Sequence, residues 1–180
     1  METLVATTIL ALGLTALAQL FVMSVRANAG SKSTSFSAVL AQQKMEQLRS
    51  LVYGFDTLGL PLSDSTTDTR VVPETPTGGT GLAPSPANVL IANVAGYCDF
   101  LDKYGKPLAS NDGITAPANT AYTRRWAIQP LPTNPNNTIV IQVLVTSRRN
   151  RGSADSDTTP GGVRLPDEAR MMSVKTRKAT

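Results

Sequence analysis

The sequence predicts an α+β protein in which one long N-terminal helix packs on a small antiparallel β-sheet. Three observations lead there. Residues 4–25 form an unbroken apolar run that continues into a stretch with helical periodicity. Residues 55–88 then concentrate proline and glycine. Beyond them come short β-branched and aromatic segments separated by turn formers. Composition narrows the chemistry further. The 180 residues contain no His and a single Cys, which excludes Ser-His-Asp triads, Cys-His pairs, His-ligated zinc, CxxC motifs and any intrachain disulfide. With 41% apolar and 17% charged residues the chain can build a core. Charge is uneven: residues 1–120 carry 7 basic and 9 acidic side chains, net −2, and residues 121–180 carry 10 and 4, net +6.

The first element is LVATTILALGLTALAQLFVMSV, 22 residues without a charge and with Gln19 as the only strongly polar side chain. As a helix it would extend about 33 Å, against a bilayer core of roughly 30 Å. Thr7, Thr8, Thr15 and Ser24 can back-bond to their own helix. A secretory signal peptide would use Ala27-Asn28-Ala29 as its cleavage site, but the run is long for one and nothing basic precedes it. A buried core helix is a second alternative. The length favours a membrane-spanning helix, with Leu4, Leu10, Leu14, Leu17 and Phe21 on its surface. Glu2 directly precedes the run; it gains from the positive helix N-terminus or lies at the water interface. Lys and Arg occur only after the run, which places the C-terminal side in the cytoplasm; a basic leader before Met1 would reverse that orientation.

After the small residues of 28–35 the pattern resumes as FSAVLAQQKMEQLRSLVY. Ala41, Met45, Leu48 and Val52 share one helical face, while Gln42, Lys44, Glu46 and Arg49 populate others. Gly54 supplies a stop after Tyr53. Continuous through Gly30, residues 2–53 would make one rod of about 78 Å; the poor helix propensity of 28–34 allows a kink or unwound turn instead. The chain thus divides into an all-round apolar helical half, 1–28, an amphipathic half, 29–54, and a headgroup, 55–180. The headgroup opens with a long connection, 55–88, and continues with a sheet over about 89–178.

Within that sheet, VLIANVAGYCDFLD from Val89 reads as β-like, with Tyr97, Asp99 and Leu101 opposed to Cys98, Phe100 and Asp102. Lys103-Tyr104-Gly105-Lys106-Pro107 is a turn. Residues 121–129 form a strand with Tyr122, Arg124, Trp126 and Ile128 on one face. Residues 138–146, TIVIQVLVT, are the strongest strand signal. RRNRGSADSDTTPGG is a polar loop, and residues 169–177 close the sheet.

A Glu directly before about twenty apolar residues, an amphipathic continuation and a small sheet resemble type IV pilins and type II secretion pseudopilins. Glu2-Thr3-Leu4-Val5-Ala6-Thr7 matches the stretch starting at the Glu at the fifth mature position; the cleavage Gly, basic leader and first mature residues would precede Met1. AQQKMEQLRSL looks like the stem of PilV-like minor pilins and the corresponding minor pseudopilins, and YCDFLDKYG, YTRRWAIQP and a last basic strand are similar to their headgroup order. The resemblance implies a non-enzymatic filament subunit without cofactor or metal. It is cut by a prepilin peptidase and held in the bacterial inner membrane with a periplasmic headgroup. An assembly platform then moves it into a surface pilus or periplasmic pseudopilus. Its partners would be other pilin or pseudopilin subunits, and Glu2 would pair with the N-terminal ammonium of a neighbour. The alternative of another class is a membrane-tethered or secreted β-rich binding module.

Weaker constellations stand beside these. Arg148, Arg149 and Arg151, with Arg124, Arg125, Lys175, Arg177 and Lys178, could form a basic nucleic-acid surface; solvated strand ends and loop are the preferred reading. Tyr97, Phe100, Tyr104, Tyr122 and Trp126 could stack bases, but sheet-face packing suits them better. Asp155-Ser156-Asp157 lacks the Gly and Glu of an EF-hand, and Gly78-Gly79-Thr80-Gly81 lacks the Lys of a phosphate loop.

Overall fold

A computed structural model describes residues 1–108, 112–148 and 168–178. Helix α1, Glu2–Ser50, has 49 residues, about 74 Å at the α-helical rise. It runs unbroken through Gly30. The Ser31 and Thr34 hydroxyls donate to the carbonyls of Ala27 and Gly30 at 3.0 and 3.1 Å, so polar side chains of the weak patch are satisfied within the helix. Thr7, Thr8 and Thr15 back-bond in the same way.

The helix ends three residues before the expected position. Leu51 is already extended (φ −60°, ψ 150°), because Tyr53 is drawn into strand β1, Tyr53–Phe55, which pairs antiparallel with β2, Pro61–Ser63. Val52 is consequently exposed rather than part of the buried stripe, and Leu51 is buried instead. The expected 55–88 connection therefore includes one strand of a small hairpin. Its remainder is organised by Asx-type bonds, as where Asp64 Oδ1 accepts the Thr66 and Thr67 amides.

The larger sheet has the order β3-β4-β5-β6, with β3 Cys98–Leu101, β4 Tyr122–Pro130, β5 Thr138–Ser147 and β6 Ala169–Thr176, all neighbours antiparallel. It starts later than the expected Val89. Asn88 has positive φ (64°), and its carbonyl accepts the Ile91 and Ala92 amides, so residues 88–92 turn instead of extending. Val89 is buried from that turn. Where β3 ends, β4 would have an open edge; Ser85 fills it, its amide donating to the Ile128 carbonyl at 2.8 Å and its hydroxyl accepting the Ile128 amide at 3.1 Å.

Register sorts the two faces. Arg124, Trp126 and Ile128 lie opposite Val145, Val143 and Ile141, and these in turn lie opposite Ala169, Met171 and Ser173. This face packs on Leu40, Ala41, Met45 and Leu48 of α1, and the two together form the core. The other face buries Cys98, Phe100, Arg125 and Ala127 but exposes Met172 and Val174. The turn after β3 also touches the helix. Gly105 has φ +79°, and a Cβ there would stand 2.8 Å from Leu40 Cδ2, so both backbone and space require glycine. The fold is the α+β, pilin-like arrangement that the sequence predicts: a long N-terminal helix packed on a small antiparallel sheet.

Candidate functional site: an exposed apolar stem on a buried ionic junction

Residues 1–28 are all exposed, covered by no other described residue. Leu4, Leu10, Leu14, Leu17 and Phe21 are between 59% and 72% exposed. This overturns the alternative of a buried core helix, since no part of the headgroup covers the run. The helix is long and apolar enough to cross a membrane. Glu2 sits in its first turn, exposed, and no cation pairs with it among the described residues.

From Phe36 onward the same helix is clamped to the sheet, and the clamp is ionic. Asp99 and Arg124 are direct cross-strand partners of β3 and β4. The Arg124 guanidinium grips the Asp99 carboxylate with two bonds, Nε to Oδ1 at 2.8 Å and Nη2 to Oδ2 at 2.7 Å. Lys44 comes down from the helix onto the same carboxylate, Nζ to Oδ2 at 3.2 Å. It also donates to the Thr69 carbonyl at 2.6 Å, to Thr69 Oγ1 at 3.1 Å and to Gln47 Oε1 at 3.3 Å. Its ammonium stands 3.7 Å from the centre of the Trp126 ring, whose negative face adds to the attraction. Lys44 and Asp99 are fully buried and Arg124 is 2% exposed.

Two cations share one carboxylate in a dry site, so the electrostatics are uneven. Burial pushes Lys44 down to about 8, with the attraction of Asp99 offsetting only part of the desolvation and Arg124 adding repulsion. Burial alone would raise Asp99, but Arg124 and Lys44 outweigh it and hold the carboxyl below its usual range. Each group is saturated by the others and closed to solvent. The arrangement therefore fixes one helical turn against one pair of strands.

A second clamp holds the helix end. Lys175 of β6 donates to the carbonyls of Arg49 (2.6 Å) and Leu51, satisfying orphan acceptors at the helix C-terminus. Arg177 donates to the carbonyls of Gly54 (2.9 Å), Leu62 (2.7 Å) and Asn136 (2.8 Å), and its guanidinium lies 4.2 Å from the Tyr53 ring centre.

These contacts correct the basic surface considered from the sequence. Arg124 is inside the core, and Arg125 is buried with Nε and Nη2 on Asn93 Oδ1 at 3.0 and 2.6 Å. Lys175 and Arg177 are committed to backbone carbonyls. Arg148 remains exposed, with Nη1 on the Pro117 carbonyl at 3.3 Å. Arg149, Arg151, the Asp155-Ser156-Asp157 pair of carboxylates and the expected polar loop beyond Arg148 lie outside the described residues. Of the aromatics, Tyr97, Phe100 and Trp126 pack in the interior and Tyr122 is half-buried, whereas Tyr104 is exposed in its turn.

Sequence reasoning missed the junction although its signals were present. Lys44 lies three residues after Ala41 and four before Leu48, on the apolar stripe rather than beside it. Asp99 alternates with Tyr97 and Leu101, and Arg124 with Tyr122 and Trp126; a lone opposite charge on each of two apolar strand faces points to a buried pair. No family model, curated protein or solved structure matches the chain. Fold and site by themselves define an α+β protein whose exposed apolar helix, long enough to cross a membrane, is rigidly continuous with a β-sheet headgroup.

Proposed function

We propose that the protein is a membrane-anchored, non-enzymatic filament subunit, a minor pilin of a type IV pilus or the corresponding minor pseudopilin of a secretion system. One observation carries this reading. The exposed apolar half and the docked half belong to a single uninterrupted helix, with a carboxylate at its very start. A simple tether needs no such continuity, since a flexible linker would serve. A subunit whose headgroup position is dictated by the packing of its stem does need it. In this reading the stem resides in the bacterial inner membrane with the headgroup in the periplasm. A prepilin peptidase processes the N-terminus, and an assembly platform lifts the subunit so that stem-to-stem packing replaces lipid. Glu2 pairs with the N-terminal ammonium of a neighbouring subunit, because unlike charges in an apolar bundle stabilise only when they meet.

Glu2→Ala is the direct test. Incorporation into sheared filaments or pseudopili is expected to disappear while the chain remains in the membrane fraction. Normal incorporation of the variant would exclude the assigned role. Mass spectrometry of the mature N-terminus adds a second check: a methylated residue upstream of Met1 supports the filament reading, and a start at Gly30 supports a secreted module.

A further inference from the structure

A cleft of about 590 Å³ opens where the helix leaves the headgroup. Its walls come from both sides of that junction: Lys32 and Phe36 on α1, Lys103 in the turn after β3, Thr120 just before β4, Tyr122 at its start, and Arg148 just past β5. Among the described residues, three of the lining side chains are cations and none is a carboxylate. Phe36 and Tyr122 form an apolar wall, their rings 5.3 Å apart and tilted by 58°. Thr120 is 6% exposed, and its hydroxyl has no hydrogen-bond partner among the described residues. Thr120 thus lines the same cleft as three cations, none of them in an ion pair among the described residues, and this lining suits an oxygen-rich anion.

Position selects the anion. Register puts Leu101, Tyr122 and Ser147 at the same end of the sheet, and Phe36 packs on Tyr122 there. The opposite end meets Arg49 and Leu51 through Lys175. The cleft therefore lies at the end of the headgroup that faces the apolar stem. Lys32 is seven residues, about 10 Å of helix, beyond Val25, and helical side chains tilt back toward the N-terminus. The polar layer of a bilayer is about 5–8 Å deep on each side. With residues 4–25 spanning the hydrocarbon, the Lys32 side chain reaches back to the outer edge of that layer, and the cleft opens directly above it.

We infer that this cleft binds the phosphate headgroup of an anionic phospholipid. Lys32, Lys103 and Arg148 take the phosphate oxygens, the Thr120 hydroxyl donates to one of them, and the Phe36–Tyr122 wall packs on the glycerol carbons. The site orients the headgroup against the membrane surface before the stem leaves the bilayer. This rests on the membrane-anchored reading above.

The test uses the full chain in dodecyl maltoside, incubated with phosphatidylglycerol or phosphatidylcholine and read by native mass spectrometry. Phosphatidylglycerol is expected to be retained in preference. The K32Q/K103Q/R148Q variant should lose at least about tenfold of that preference, and Thr120→Val should weaken it without changing the fold. Equal retention of both lipids, or an unchanged preference in the triple variant, overturns the site. Displacement of phosphatidylglycerol by millimolar inorganic phosphate overturns the lipid assignment in favour of a free anion. Insertion is read separately, by carbonate-resistant flotation with phosphatidylcholine vesicles. Failure there sinks the anchor, whereas insertion without lipid preference sinks only the cleft.

Discussion

Residues 4–25 and residues 36–50 belong to one helix, yet they meet opposite fates. The first stretch is apolar all round and none of the other described residues covers it. The second is mixed in polarity, and its buried stripe includes a lysine. The exposed half is specified by what it lacks: with no charge over 22 residues, any apolar surround will accept it, whether lipid or other stems. The docked half is specified by what it must match. Lys44 can be buried only where Asp99, Thr69 and the Trp126 face are waiting, which sets both the rotation and the axial position of the helix on the sheet. A non-directional element thus suits any apolar surround, while a directional one fixes the helix on the sheet.

The strongest way to break this contrast is to remove the shared carboxylate. Asp99→Ala leaves Lys44 and Arg124 buried without a counter-charge, and a loss of about 3–5 kcal/mol is expected in chemical denaturation of the headgroup. Membrane association should be unaffected. An Asp99→Ala protein of unchanged stability would show that the junction does not hold the helix.

The reciprocal change acts on the other half. Leu14→Arg places a charge in the middle of the apolar run, at a cost of about 3 kcal/mol for insertion. Flotation with vesicles should fall severalfold, while the denaturation midpoint of the headgroup stays where it was.

Titration sharpens the junction itself. Lys44 sits near 8 when folded, against an unfolded value of 10.5, so between these limits the unfolded chain binds more protons. Stability from this group therefore rises with pH through that window, by up to about 1.4 kcal/mol per pH unit. Lys44→Met keeps an unbranched side chain over Trp126 and leaves the Asp99–Arg124 pair intact; it should abolish the slope. Asp99 is also lowered in the folded state, but its window lies at the acid end: its contribution is complete above the unfolded carboxylate range and disappears as pH falls through the folded value. Matching pH profiles for the parent and Lys44→Met between pH 8 and 10 would contradict the assignment.

The smallest effect belongs to the helix end. Lys175→Met removes the donor to the Arg49 and Leu51 carbonyls, and about 1 kcal/mol of stability should go with it. Faster amide exchange over the last helical turn would localise the loss.

Much of the architecture was legible in the residues. The uncharged run, the Ala41–Met45–Leu48 stripe, the turn at Lys103–Pro107 and the strands at 121–129, 138–146 and 169–177 all follow from local periodicity and turn chemistry, and the structure has them. The departures arise where a distant partner decides. The 28–35 patch, where the propensities leave helix or break open, is not among them: it stays helical, with the Ser31 and Thr34 hydroxyls bonded to the preceding turn. Residues 51–53 leave the expected helix because Tyr53 pairs with Ser63 in the small hairpin. Residues 88–92 turn although they are apolar, since Val89 enters the core from a turn.

By itself, the sequence determined the α+β class, the length and apolarity of the stem, and the order of the strands. These depend on spacings of 2 and 3.6 residues and on proline and glycine, which act over a few neighbours. Where the charges go depends on contacts between distant segments. Lys44, Asp99 and Arg124 are 55 and 25 residues apart along the chain, and their meeting depends on strand register and helix rotation together. Four cations that looked like surface became a core pair, a helix cap and a hairpin clamp. Of the same basic set Arg148 lines the cleft at the stem's exit, together with Lys32 and Lys103. A charge is costly to bury alone and tolerable once paired, so its place is settled by the partner that folding brings to it.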